Sequence, residues 1–166
     1  MKDKIRHYIK EIFVFIIVMT IFSNVISLYR ATDLNSNKFD IISLKLIDSS
    51  RYSLDSNEPI LLHFWASWCP TCKIEAQNIQ TISEHFQVLT IAVKSGSNSD
   101  IQSYLNKHKH NYHVYNDYNA NLASKYNIQA YPTTFIYDAE KNLVFSEVGY
   151  TSTFGLWIRM LWAKYL

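Results

Sequence analysis

A chain of 166 residues with 48% hydrophobic and 15% aromatic residues suits one domain plus an appendage and is too apolar to be disordered. Its three glycines speak against a solenoid or a Gly-rich phosphate-binding chain, and no internal repeat is visible. The net charge of +2 divides unevenly: Lys2, Lys4, Arg6, Lys10 and Arg30 lie in or beside the N-terminal segment, and the 11 basic against 12 acidic residues from Ala31 onward leave no electrostatic footprint for nucleic acid.

Residues 1–11 carry most of those N-terminal bases. Residues 12–29, "IFVFIIVMTIFSNVISLY", are uncharged. As a helix they would rise about 27 Å, close to the ~30 Å hydrocarbon core of a bilayer. Bases ahead of the run predict a cytoplasmic N-terminus, residues 12–29 as a single transmembrane signal-anchor, and export of the remainder of the chain. A cleaved signal peptide fits less well, because the run is long and no A-x-A-like site succeeds it. Residues 30–38 read as a polar tether. Residues 39–166 read as a domain in the periplasm or outside the cell.

Within that domain "FDIISLKLI" and "RYSL" around "DSS" predict an N-terminal hairpin. "PILLHFWA" is an almost continuous apolar run, as in a strand buried on both faces. Pro70 then opens a helix, with Ile74, Ile79, Ile82 and Phe86 expected on its apolar side. "VLTIAVKSG" predicts a second buried strand, and "SNSDIQSYLNKHKH" a helix capped by Ser99 or Asn98. "YHVYND" reads as a strand, "NANLASKYNI" as a short helix, and "TTFIYD" and "LVFSEV" as a hairpin. The terminal "STFGLWIRMLWAKYL" reads as a helix with Leu156, Trp157, Met160 and Leu161 on its apolar side. Alternating strands and helices closed by an antiparallel pair predict an α/β sandwich.

The only cysteines, Cys69 and Cys72, lie in "HFWASWCPTCKIEA". Strand before and helix after would put Cys69 at the strand end and Cys72 one turn into the helix. That spacing allows a disulfide. Free backbone N–H groups and the positive end of the helix dipole favour a thiolate at the first cysteine. Cys69 is then the nucleophile and Cys72 the resolving thiol. A bridge closing so short a loop stabilises little, so a purely structural pair is a weak reading. Zinc would need four ligands, and Lys73 occupies the histidine position that covalent haem requires. Copper(I) on two thiolates stays chemically open. In "NKHKHNYH", residues 106–113, the spacing of His108, His110 and His113 does not align three ligands on one helix face, and a solvated helix end is expected.

"PILLHFWASWCPTCK" resembles the active-site strand and helix of the thioredoxin superfamily, and "YNIQAYPTTFIYDAEKNLVFSEVGY" resembles its second signature. The anchor and the ending "VGYTSTFGLWIRMLW" resemble membrane-anchored TlpA/ResA-type proteins, most closely the suppressor of copper sensitivity protein D group of disulfide oxidoreductases. The resemblance implies a thioredoxin-like three-layer sandwich with a mixed central sheet. It implies Pro132 as a cis-proline facing the cysteines and presenting the Tyr131 backbone to a substrate chain. Trp68 would be an aromatic lid beside the sulfur, and Glu75 would tune the thiols; read alone, Trp68 also suits core packing and Glu75 is equally a favourable first-turn acid. His63 stands where thioredoxins have a buried aspartate that assists proton transfer; an imidazole can do similar work, and a histidine simply hydrogen-bonded in the sheet is the equal alternative. Tyr131 is bulkier than the usual residue before the cis-proline, and the helix-kinking proline of relatives is replaced by Ala76, Gln77 or Asn78.

The expected function is a membrane-anchored thiol–disulfide oxidoreductase exchanging the Cys69–Cys72 disulfide with cysteines of exported proteins, as a reductant fed by a membrane thiol donor. No organic cofactor or resident metal is implied. The rival is a copper(I)-binding chaperone or metal-protective module using the same two sulfurs.

Overall fold

The computed structural model describes residues 8–15, 17, 18, 22, 39, 43–55 and 57–166. Residues 8–15, 17, 18 and 22 are helical, and among the described residues no helix is long and apolar enough to cross a membrane. Much of the expected anchor and all of the tether up to Lys38 lie outside the described residues.

Five strands form one mixed sheet in the order β3-β2-β1-β4-β5. The strands are β1 (Ile60–Trp65), β2 (Gln87–Val93), β3 (Val114–Asp117), β4 (Thr133–Tyr137) and β5 (Leu143–Val148). β1 pairs in parallel with β2 and antiparallel with β4, so the apolar run is central and buried along its whole length. Among the described residues four helices cover the sheet: α1 (Pro70–Ser83), α2 (Asn98–His108), α3 (Asn121–Lys125) and α4 (Thr153–Lys164). Side chains of a strand alternate between faces. Ile60, Leu62 and Phe64 accordingly join one core cluster with Phe135 and Tyr126. Leu61 and Trp65 join the other, with Cys69, Cys72, Ile79, Leu156 and Met160.

The expected N-terminal hairpin is present in short form among the described residues: Lys45 bridges Arg51, the Leu46 N–H donates to the Ser50 carbonyl and the Tyr52 N–H to the Leu44 carbonyl, each at 2.9 Å, and at its turn Asp48 accepts the Ser50 N–H at 2.9 Å. Several other local expectations are corrected. The cap of α2 is Ser97, one residue before Asn98. Its hydroxyl accepts the Asp100 N–H while the Asp100 carboxylate accepts the Ser97 N–H, a reciprocal box that Asn98 or Ser99 would leave one or two residues out of step. On α1, Ile79 and Ile82 face the core as expected, whereas Ile74 is 69% exposed and its neighbour Glu75 is fully buried. On α4, Leu156, Met160 and Ala163 are buried, and Leu161 faces outward. The spacing of apolar residues was ambiguous on both helices, and packing against the sheet selected one of two overlapping stripes.

Candidate active site

The segment between β1 and α1 is a tight turn. Strand β1 ends at Trp65, so Cys69 is not the strand's last residue; it is the N-cap of α1, with Pro70 in the first turn. The turn is fastened to the loop after β2: the Ser67 N–H donates to Ser95 Oγ at 3.0 Å and the Trp68 indole N–H to the Lys94 carbonyl at 3.2 Å. The Cys69 N–H closes the turn onto the Ala66 carbonyl at 3.1 Å.

Cys69 Sγ accepts the Cys72 N–H at 3.2 Å, the position a serine or aspartate oxygen takes in an ordinary cap. Sulfur is therefore aimed at the positive end of the helix, where negative charge is stabilised. The Cys69 thiol also lies 3.6 Å from the Tyr131 carbonyl, and the Tyr131–Pro132 peptide is cis. The Gly149 N–H holds the Pro132 carbonyl at 2.8 Å, with Gly149 at a φ of +107° that a side chain rarely adopts. Trp68 is 58% exposed and meets the Tyr131 ring edge-on at 5.7 Å, so it belongs to the rim of the site and not to the core.

Cys72 is buried beneath this rim, and both cysteines are free. Burial first, then its hydrogen bond with Cys69 and the charges of Cys69 and Glu75, push the Cys72 thiol well above the ordinary thiol range. One turn on, Glu75 Oε1 accepts the Thr151 N–H at 2.9 Å, while Oε2 is buried without a hydrogen-bond partner. Burial raises the Glu75 carboxyl to about 8, with the nearby Glu147 adding to the rise and the Thr151 bond opposing it. An ionised carboxylate with one bare oxygen is costly in such a site; the neutral acid is not.

His63 lies on the face of β1 that Leu61 and Trp65 share with the two cysteines. Its Nδ1 is 2.9 Å from Thr134 Oγ1 on β4, directly across the strand pair. Burial pulls the imidazole down to about 3, so it is neutral throughout the physiological range. His108, His110 and His113 make no such arrangement. His108 and His110 stack at 6.1 Å, and His110 is buried at the end of α2 instead of solvated as the sequence led one to expect. Among the described residues no group of three His, Cys, Asp or Glu side chains could hold a metal ion.

Cys69, Pro70, Cys72, Trp68, Tyr131 and Pro132 thus come together at the C-terminal end of β1, with Glu75 and His63 beneath. Three residues passed over in the sequence complete the site. Thr134 could have been found by pairing the polar positions of the two buried strands. Ser95 and Thr151 act through loop geometry and leave no spacing signal. Chemically, the arrangement presents one sulfur to the rim, a second sulfur behind it, and a titratable carboxyl behind that.

A family model described as the AhpC/TSA family matches residues 30–146. A thioredoxin-like protein of Haemophilus influenzae is 33% identical over 131 residues, covering 78% of this chain and 77% of that protein. Sporulation thiol-disulfide oxidoreductase A of Bacillus subtilis is 25% identical over 117 residues, covering 66% of this chain and 71% of that one. Among solved structures, StoA from Bacillus subtilis superposes with a TM-score of 0.63 at 22% identity, over 70% of this chain and 93% of that chain. A secreted Mycobacterium tuberculosis disulfide oxidoreductase gives 0.62 at 22% identity, over 72% and 93%. The chain therefore belongs to the AhpC/TSA family of the thioredoxin superfamily, among relatives that are thiol–disulfide oxidoreductases.

Proposed function

We propose that this protein is a membrane-tethered reductant of disulfides in exported proteins, of the TlpA/ResA type and close to the suppressor of copper sensitivity protein D group. The observation that carries the reading is the position of Cys69 Sγ, which accepts a helix N-terminal N–H at 3.2 Å and lies 3.6 Å from the Tyr131 carbonyl. A nucleophilic sulfur there stands beside the Tyr131 backbone, on which an extended substrate can lie. The charge-free run of residues 12–29 supports the anchor, and secreted relatives support an exported domain.

In the proposed cycle the Cys69 thiolate attacks one sulfur of a substrate disulfide. A Cys69–substrate bond forms, the substrate S–S bond breaks, and the first substrate sulfur leaves as thiolate and takes up a proton. Cys72 then gives up its proton and attacks Cys69 Sγ, releasing the second substrate thiolate. Two electrons pass to the substrate, and the Cys69–Cys72 disulfide remains for a membrane thiol donor to reduce. The two electrons pass directly from the two cysteine sulfurs to the substrate sulfurs, so the step calls for no bound cofactor.

The second step needs a base for a thiol whose proton affinity is high. His63 at about 3 is too weak a base, whereas Glu75 at about 8 is matched to neutral pH. Glu75, one turn along α1 from Cys72 and with Oε2 buried without a hydrogen-bond partner, is therefore assigned the proton, with His63 positioning the strand through Thr134. A copper(I) role would rest on the same two sulfurs with no third ligand grouped beside them among the described residues, so no observation favours it.

The test is insulin reduction by the full chain in detergent, with Cys69→Ala as control. Turnover no greater than that of the control would end the reading. Equilibration with glutathione buffers then fixes direction: a potential near about −270 mV marks a reductant, one near about −120 mV an oxidant.

A further inference from the structure

Helix α4 closes the sheet with its inner face and leaves an unusual outer one. Eight residues from Ser152 to Leu166 are exposed, and six of them are apolar or aromatic: Phe154, Ile158, Leu161, Trp162, Tyr165 and Leu166. Phe154, Ile158, Leu161 and Tyr165 recur at intervals of four, three and four, a single stripe about 16 Å long. The helix contains no acid; its bases are Arg159, paired with Glu147 at 2.7 Å, and the exposed Lys164. A stripe of this kind on an exported domain is not accounted for by the core or by the cysteine site.

Its position relative to the tether identifies what covers it. The Phe39 N–H donates to the Lys141 carbonyl at 3.1 Å, the Lys141 ammonium to the Glu58 carbonyl at 2.8 Å, and the Glu58 carboxylate pairs with Lys164 at 2.9 Å. The point where the tether enters the domain is thus joined through Glu58 to the last turn of α4. Nine residues, 30–38, separate the apolar run from Phe39. Even fully extended they span only about 30 Å, so the C-terminal end of α4 is never far from the bilayer that holds the anchor.

We propose that the outer face of α4 lies on the bilayer surface, with Phe154, Ile158, Leu161 and Trp162 in the headgroup region. Aromatic and apolar side chains along one face are what an interfacial helix presents. This placement rests on the proposed anchor. The helix begins beside Glu75 through the Thr151 bond and ends beside Glu58, just before β1, so it runs back along the length of that strand. With α4 flat on the surface, the Cys69 turn opens along the membrane plane, within reach of a thiol donor embedded in the same membrane.

The test uses the full chain in vesicles of phosphatidylcholine and phosphatidylglycerol at 3:1, with brominated acyl chains as contact quenchers of tryptophan. Alkaline carbonate extraction reports the anchor independently. Retention in carbonate together with a quenched emission fraction that Trp162→Phe removes supports the proposal. The paired substitution Ile158→Asp with Leu161→Asp, on exposed positions, should abolish that fraction while insulin reduction persists. Retention with equal quenching of wild type and Trp162→Phe would overturn the docking and leave the anchor intact. Extraction by carbonate would overturn the anchor and the docking with it. A concentration-dependent dimer that shields Trp162 from bromine would overturn it in favour of a second copy.

Discussion

Glu75 accepts the Thr151 N–H with one carboxyl oxygen at 2.9 Å and buries the other without a partner, one helical turn from the Cys72 thiol. The N-terminus of α4 therefore fixes the rotamer of the group proposed to take the proton of Cys72. Replacing Glu75 by Gln keeps the shape and removes the titration. The resolving step should slow by about 10²-fold, within the usual span for a lost general base. Wild-type resolution should speed up as pH rises through about 8, where Glu75 ionises, and Glu75→Gln should lose that inflection. Stopped-flow decay of a preformed mixed disulfide across pH 6 to about 9.5 would read both effects.

The same carboxyl makes stability depend on pH, with a sign that can be worked out. A folded value near 8 against an ordinary value of 4.5 means that the native state binds the proton more tightly. Its contribution is complete below about pH 4.5 and is lost as pH rises toward 8. His63 acts in the opposite sense: with a folded value near 3 against 6.5, its contribution is complete above 6.5 and lost as pH falls toward 3. Between 6.5 and 8 only Glu75 titrates of the two. Urea denaturation in that window should show wild-type stability falling with pH, by up to a few kcal/mol, and a flat profile for Glu75→Gln. Equal slopes for the two proteins would contradict the assignment.

Cys72→Ala should separate the two chemical steps. Cys69 can still attack, and nothing resolves the product, so a Cys69–substrate mixed disulfide accumulates. Cys69→Ala should form none. Intact-mass spectrometry after exposure to oxidised glutathione distinguishes the variants, and adduct on Cys69→Ala would reverse the roles of the two sulfurs.

What could be read from the sequence was the part governed by local rules. The central strand announced itself as an uninterrupted apolar run, and Cys69, Pro70 and Cys72 placed the helix start because proline tolerates the first turn and little else in a helix. The direction in which a helix faces was harder, since Ile74 and Glu75 are adjacent and either could have been inward. The sheet chose Glu75, and only the carboxyl's bond to a loop 76 residues away makes that choice tolerable. Contacts of that separation have no periodic signal. The burial of His63 was legible from its strand, but its partner Thr134 depended on the antiparallel register of β1 and β4, which one sequence does not display.

The contrast on α1 gives a direct measure of facing. Ile79 is fully buried and Ile74 largely exposed. Ile79→Ala should cost about 2–5 kcal/mol through lost burial and a residual cavity. Ile74→Ala should stay within about 0.5 kcal/mol, as for surface substitutions generally. Comparable losses in chemical denaturation would mean that the helix is rotated from the orientation described.

The His63–Thr134 pair allows a double-mutant test that separates a positioning role from a catalytic one. Thr134→Val removes a buried partner and leaves the imidazole nitrogen bare, which should cost about 1–3 kcal/mol. His63→Leu leaves the Thr134 hydroxyl in the same difficulty. With both replaced, neither orphan remains, so the double variant should be less destabilised than the sum of the singles, with a coupling between about 0.5 and 3 kcal/mol. If His63 only positions the strand, the folded double variant should keep the inflection near 8 in its resolving rate, because Glu75 still supplies the base. Loss of that inflection in the double variant, with stability restored, would move the proton from Glu75 to His63.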